Sequence, residues 1–283
     1  MAENIEKQTG NIDDILKIMN RANETFAYEI YVPSLKKNVP FREISTSQQK
    51  RLLKAVIDSP VYNTEFIFIL HQIIKENCIE SLDIDNLTIF DKLIIALLLR
   101  SISISNNLDL EFTVPNTDKK IVRRLLVKDI AELAIKEVQI DPITIKDDTE
   151  TYEILCDLPT ILDEYNLEMQ LRKNVESIEI KSEQQLRDTV GEVFTNEIVK
   201  YIKQVNIKNK TDGKLYEFNL KSMLFKDRLA ILGKIPAKIN NKIIEYINTV
   251  KLQFDKVLLF KETIEGQTIE QRLKIDAGFF TAS

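Results

Sequence analysis

The sequence predicts an α+β fold, a mainly helical core with several antiparallel β-hairpins, including one at the C-terminus. Two observations predict it. Between Val39 and Ile104, apolar residues recur at helical spacing in three consecutive runs. Beyond Ile104 the period shortens to two, and turn residues punctuate the chain at Pro115-Asn116-Thr117-Asp118, Asp212-Gly213 and Glu265-Gly266.

Four regions follow. Residues 1–30 form an N-terminal amphipathic helix or arm, with Ile12, Ile15, Leu16, Met19, Ala22 and Phe26 on one stripe. The break at Tyr31-Val32-Pro33-Ser34 leaves this helix two options: packing on its own core, which is the reading adopted, or reaching another subunit. Tyr28 to Val32 alternates weakly, as a short strand does.

Residues 31–106 are the helical core. Ser45 with Gln48, and Thr46 with Gln49, have capping-box spacing, so the first-turn amides of a helix ending at Ser59 find side-chain partners. A second helix begins near Asn63 and carries Phe66, Ile67, Phe68, Ile69, Leu70, Ile73 and Ile74. A third begins near Thr88 and carries Phe90, Leu93 to Ile95, Leu97 to Leu99 and Ile102. The last two are apolar nearly all round, which in a soluble chain means that other protein surrounds them.

Residues 107–180 read as an acidic, β-rich middle region. Leu108, Leu110, Phe112 and Val114 alternate with polar residues, and Ile121 to Val127 supplies an antiparallel partner. Asp129 to Ala134 reads as about one helical turn. Ile140, Ile143 and Ile145 precede a strand at Tyr152 to Cys156, and Leu158-Pro159-Thr160 leads into a helix through Ile161 and Leu162.

Residues 181–283 form a basic helical C-terminal region with a terminal hairpin. Ser182 with Gln185 caps a long helix carrying Leu186, Val190, Val193, Phe194, Ile198 and Ile202. Asp212-Gly213 between Val205, Ile207 and Leu215, Tyr216, Phe218 is a hairpin signal. Asn219 or Ser222 caps the next helix, Gly233 sits at its C′ position, and Pro236 opens a final helix from Ile239 to Val250. Val257 to Ile264 and Ile269 to Ile275 make the closing hairpin. The tail Ala277-Gly278-Phe279-Phe280 then ends in two aromatics expected on the surface.

Charge is segregated. The chain carries −5 overall, yet Asp129 to Glu197 holds 18 acidic and 6 basic residues, and Lys200 to Lys261 holds 14 basic and 5 acidic ones. Adjacent blocks of opposite sign attract within one chain or stack subunits head to tail. Hydrophobic residues at 44% and charged residues at 29% describe a globular domain. No apolar h-region lies within Met1 to Asn20, and the longest apolar run, Leu93 to Leu99, falls well below the roughly 20 residues of a membrane helix. With Cys78 and Cys156 far apart, the expectation is a soluble cytosolic chain without disulfides.

The sequence predicts no enzyme, no cofactor and no metal centre. His71 is the only histidine and lies among Phe68, Ile69, Leu70, Ile73 and Ile74, so it reads as a core residue. No phosphate-binding glycine loop and no nucleophile-elbow motif occurs. Asp147, Asp148, Glu150 and Glu153 are a solvated acidic loop without the spacing of a calcium loop. Lysines 200, 203, 208, 210, 214 and 221 around the Asp-Gly turn could meet phosphates, but Arg228 is the only arginine there and the acidic block repels a polyanion.

The run Val39-Pro40-Phe41-Arg42-Glu43-Ile44-Ser45-Thr46-Ser47-Gln48-Gln49-Lys50-Arg51-Leu52-Leu53-Lys54 resembles the baseplate hub and hub-assembly proteins of T-even-type contractile-tailed bacteriophages. The resemblance continues through Asn63 to Phe66, Glu76 to Cys78 and Leu87 to Leu93, to Leu98-Leu99-Arg100-Ser101, and returns in the closing Gly278-Phe279-Phe280. It implies a non-enzymatic structural or assembly component of the viral tail baseplate hub, found in the virion and, during assembly, in the host cytoplasm. The implied partners are other hub and tail proteins, with self-association besides. The candidate partner-binding residues are Ile12, Ile15, Leu16 and Met19 on the N-terminal stripe and Phe279 and Phe280 in the tail. Two alternatives stay open, an assembly chaperone absent from the mature virion and a nucleic-acid-binding module.

Overall fold

The computed structural model describes residues 11–58, 64–114, 119–177, 195, 197–264 and 266–281. The fold is α+β, helices packed with small antiparallel sheets. In chain order the helices are α1 (Ile12–Thr25), α2 (Thr46–Asp58), α3 (Thr64–Asn77), α4 (Ile89–Ser103), α5 (Val127–Glu137), α6 (Ile161–Ser177), α7 (Phe225–Leu232) and α8 (Ala237–Leu258). The strands are β1 (Tyr28–Val32), β2 (Lys37–Phe41), β3 (Asn107–Thr113), β4 (Lys120–Leu126), β5 (Ile143–Lys146), β6 (Tyr152–Cys156), β7 (Ile202–Lys208), β8 (Leu215–Asn219), β9 (Leu259–Ile264) and β10 (Gln267–Arg272).

The centre is α4. Ile94 to Leu97, Leu99 and Arg100 are fully buried, as expected of a helix apolar on every side. A capping box starts it: the Asp91 amide donates to Thr88 Oγ1, and Asp91 Oδ2 accepts from the Thr88 amide. The other Asp91 oxygen accepts from the Ser34 amide at 2.8 Å, so this buried carboxylate also fastens the β1–β2 connection to the helix start. The capping box predicted at Ser45 and Gln48 closes reciprocally at 2.9 and 3.2 Å, a device worth about 1 kcal/mol. Gln49, expected to cap with Thr46, instead donates its amide to the Phe280 carbonyl.

Hairpins β1–β2, β3–β4 and β9–β10 are separate two-stranded sheets, and β5-β6-β7-β8 form one antiparallel sheet in that order. Two of its strands come from the acidic middle region and two from the basic C-terminal region. Within it Ile145, Ile154, Val205 and Phe218 pair directly across the four strands, giving an apolar face. One contiguous set of buried residues runs from Ile30 to Phe280 and draws on every one of these elements but α1, β8 and β10.

Several boundaries differ from expectation. Val39 to Phe41 lie in β2, because Ile30, Val32, Val39 and Phe41 bury one face of a hairpin against the core. Asp129 to Ala134 belong to the three-turn helix α5, whose Ile130, Ala131 and Ala134 are buried. Ile202 opens β7, since pairing with Cys156 in the sheet overrides its helical spacing. Gly233 caps α7 in a right-handed conformation and not the expected left-handed one. The capping pair Ser182 and Gln185, with Leu186 to Phe194, lies outside the described residues.

Candidate interaction surfaces

The two halves of the expected partner-binding set meet opposite fates. Phe279 and Phe280 are 3% and 0% exposed, which corrects their expected place on the surface. A 3-10 turn, Gly278–Phe280, tucks both rings inward, where Phe280 meets Phe66 and Phe279 packs edge-on against Phe280. Arg100 reaches this turn from α4. Its Nε donates to the Phe279 carbonyl at 2.6 Å, and Nη1 donates to the carbonyls of Ser105 and Asn107. Burial pulls the guanidinium below its ordinary pKa. Dispersion and carbonyl bonding hold the tail, so these aromatics serve the core.

Ile12, Ile15, Leu16 and Met19 remain on the surface, at 47–73% exposure. Asn11 starts α1 by accepting from the Asp14 amide at 2.9 Å, and Asp13 and Asp14 in the first turn suit the helix dipole. The helix forms as predicted, but its apolar stripe does not pack on the core, which corrects the packing reading in favour of an arm. Ile18 and Phe26 add to the same exposed apolar surface. A contiguous patch of this kind on a folded chain marks an interaction site.

A second apolar surface lies at the other end of the sequence. Tyr152, Val205, Ile207 and Phe218 on the sheet face Ala230, Ile231 and Ile235 across a cleft of about 400 Å³, with Lys234 at its edge. Every residue of β8 is exposed, and one of its edges has no neighbouring strand in the described sheet. Gly213, at φ +69°, supplies the left-handed turn that brings β8 back along β7.

A buried ionic centre positions the walls of this cleft. Asp163 of α6 receives Lys203 Nζ on Oδ2 and Arg228 Nη1 on Oδ1, each at 2.8 Å, with all three side chains buried. Thr160 closes a capping box on the same carboxylate. Burial pushes the Asp163 carboxyl up, yet the Lys203 charge and the hydrogen bonds from Lys203, Arg228 and the Thr160 amide outweigh it and hold it at about 2. Arg228 also donates to the carbonyls of Met223 and Lys221, tying α7 to the segment before it. Lys203 shares a strand with Val205 and Ile207, so one carboxylate sets α6, β7 and α7 against one another.

This centre also shows where the charge segregation goes. Asp163 belongs to the acidic block and Lys203 and Arg228 to the basic one. The same holds for Lys238 with Asp148 and for Lys200 with Glu197. Three of the six lysines around the hairpin are engaged by carboxylates of the same chain: Lys200, Lys203 and, at 4.0 Å from Asp212, Lys214.

The remaining titratable groups are spread out. His71 is buried on α3 with Nε2 2.7 Å from Asp85 Oδ1, and burial pulls its pKa down against the pull of Asp85. Cys156 is buried, and desolvation pushes its thiol up to about 12. Asp147 accepts from Thr149 and the Tyr152 amide, which shapes the β5–β6 turn, and Glu153 pairs with Lys146 at 3.1 Å. Among the described residues no three His, Cys, Asp or Glu side chains gather as metal ligands, and no helix is long and apolar enough to cross a membrane.

Sequence reasoning missed Arg100, Asp163 and the cleft as sites. The spacing of Thr160 and Asp163 is a capping-box signal that could have drawn notice to the carboxylate, whereas nothing local marks Arg100 as the partner of the tail. No family model matches this chain, and no curated protein and no solved structure matches it.

Proposed function

We propose that this chain is a non-enzymatic component of a contractile-tail baseplate hub, working through protein–protein contacts in the virion or during assembly in the host cytoplasm. The exposed apolar stripe of α1 is the observation that carries the contact half of this reading. The resemblance over Val39 to Ser101 supports the hub half. A burial-rich helical centre offers a rigid mount for such surfaces, and the charged faces add orientation to an encounter.

Co-expression with the hub and tail proteins of a T-even-type phage tests the reading. The expected result is co-purification with at least one of them, weakened by Leu16→Glu. Absence of any co-purifying hub or tail protein would sink the proposal. Mass spectrometry of purified virions then separates a structural subunit, present in fixed copy number, from an assembly chaperone, which is absent.

A further inference from the structure

We infer that α1 of one copy of this chain seats its apolar stripe in the cleft between β7–β8 and α7 of a second copy. Ile12, Ile15, Leu16 and Met19 stand at i, i+3, i+4 and i+7, the anchor spacing of an amphipathic helix lying in an apolar groove. The cleft is apolar along Tyr152, Ile207, Phe218 and Ile231, and its volume of about 400 Å³ admits side chains from such a stripe. Among the described residues both surfaces are open.

Charge complements shape. Asp13 and Asp14 stand in the first turn of α1, and Glu3 and Glu6 precede them in sequence. Exposed Lys234 stands in the lining of the cleft. Opposite signs at the two surfaces steer and orient the helix. The contact is heterologous, helix of one copy to groove of the next. It concerns the purified chain alone and holds or fails apart from the hub assignment.

Two variants of the full chain test it, Leu16→Glu, which spoils the helix, and Phe218→Glu, which spoils the groove. Both positions are at least one-third exposed, so both variants fold. By light scattering after size exclusion, on the order of 100 μM, the unmodified chain should self-associate and each variant should be monomeric. Mixing the two should restore a 1:1 dimer, since one copy keeps the groove and the other keeps the helix. A monomeric unmodified chain overturns the inference, whether α1 stays free, folds onto its own copy or leaves the cleft to a small apolar ligand. A mixture that stays monomeric overturns it too, because paired α1 helices would lack one competent partner. Met19→Glu with Ile231→Gln repeats the test on different side chains.

Discussion

Arg100 and Phe279 lie 179 residues apart in sequence and 2.6 Å apart from Nε to carbonyl oxygen, with the guanidinium carbon 5.2 Å from the centre of the Phe279 ring. An arginine with no exposure is here held through Nε and Nη1 by carbonyls and over an aromatic face, with Nη2 buried without a hydrogen-bond partner, so the C-terminal turn is part of the lining of α4.

Arg100→Met should therefore destabilise the chain by about 3 kcal/mol, because the Phe279 carbonyl loses its donor in a buried place and the part-buried carbonyls of Ser105 and Asn107 lose theirs as well. Arg100→Lys, with a point charge in place of a fork, should recover only part of this. Urea unfolding midpoints measure both, and a change under about 0.5 kcal/mol for Met would refute the role.

Phe280→Ala should cost about 3–5 kcal/mol, the usual cost of emptying a buried aromatic site, since the ring is fully buried against Phe66 and Phe279. Met19→Ala on the exposed stripe should stay within about 0.5 kcal/mol. Thermal melts of the two variants side by side read the contrast; equal losses would mean that the tail and the stripe are not as different as their burial.

Stability should fall in acid through Asp163. Its carboxyl is depressed in the folded chain to about 2 from an ordinary 3.8, so its contribution is present above pH ~4 and lost as pH falls from about 4 towards 2. The shift corresponds to about 2 kcal/mol. Asp163→Asn should lose this acid step and cost about 3–5 kcal/mol at pH 7, because Lys203 and Arg228 would be buried without an anion. Urea titrations at pH 7, 4 and 2.5 check the step, and an unchanged pH profile in Asp163→Asn would contradict it.

Cys156 should resist thiol reagents in the folded chain. Desolvation raises its pKa to about 12, leaving almost no thiolate at pH 8, and its side chain is fully buried. Half-buried Cys78, whose Sγ donates to the Glu80 carbonyl at 3.3 Å, should react first and slowly. Mass-resolved labelling should find Cys156 modified only after denaturant is added; prompt native labelling at Cys156 would show that the sheet opens there.

Much of the local structure was legible from the residues alone. The all-round apolar α3 and α4, the Ser45–Gln48 capping box, the β3–β4 pairing and the Asp212-Gly213 turn each depend on neighbours a few residues away, and periodicity and turn chemistry encode those distances. The amphipathic character of α1 was legible for the same reason. Its exposure was not, because spacing tells which residues share a stripe and not whether anything covers it.

Tertiary structure alone decided the rest. Phe279 and Phe280 read as a loose end until Arg100 and Gln49 are seen holding their carbonyls, and Arg228 reads as one more cation until Asp163 is found beneath it. Ile202 kept helical spacing yet became a strand because β6 offered it a ladder. In each case the deciding contact joins residues 46 to 231 positions apart, and no rule of local spacing carries information over such separations.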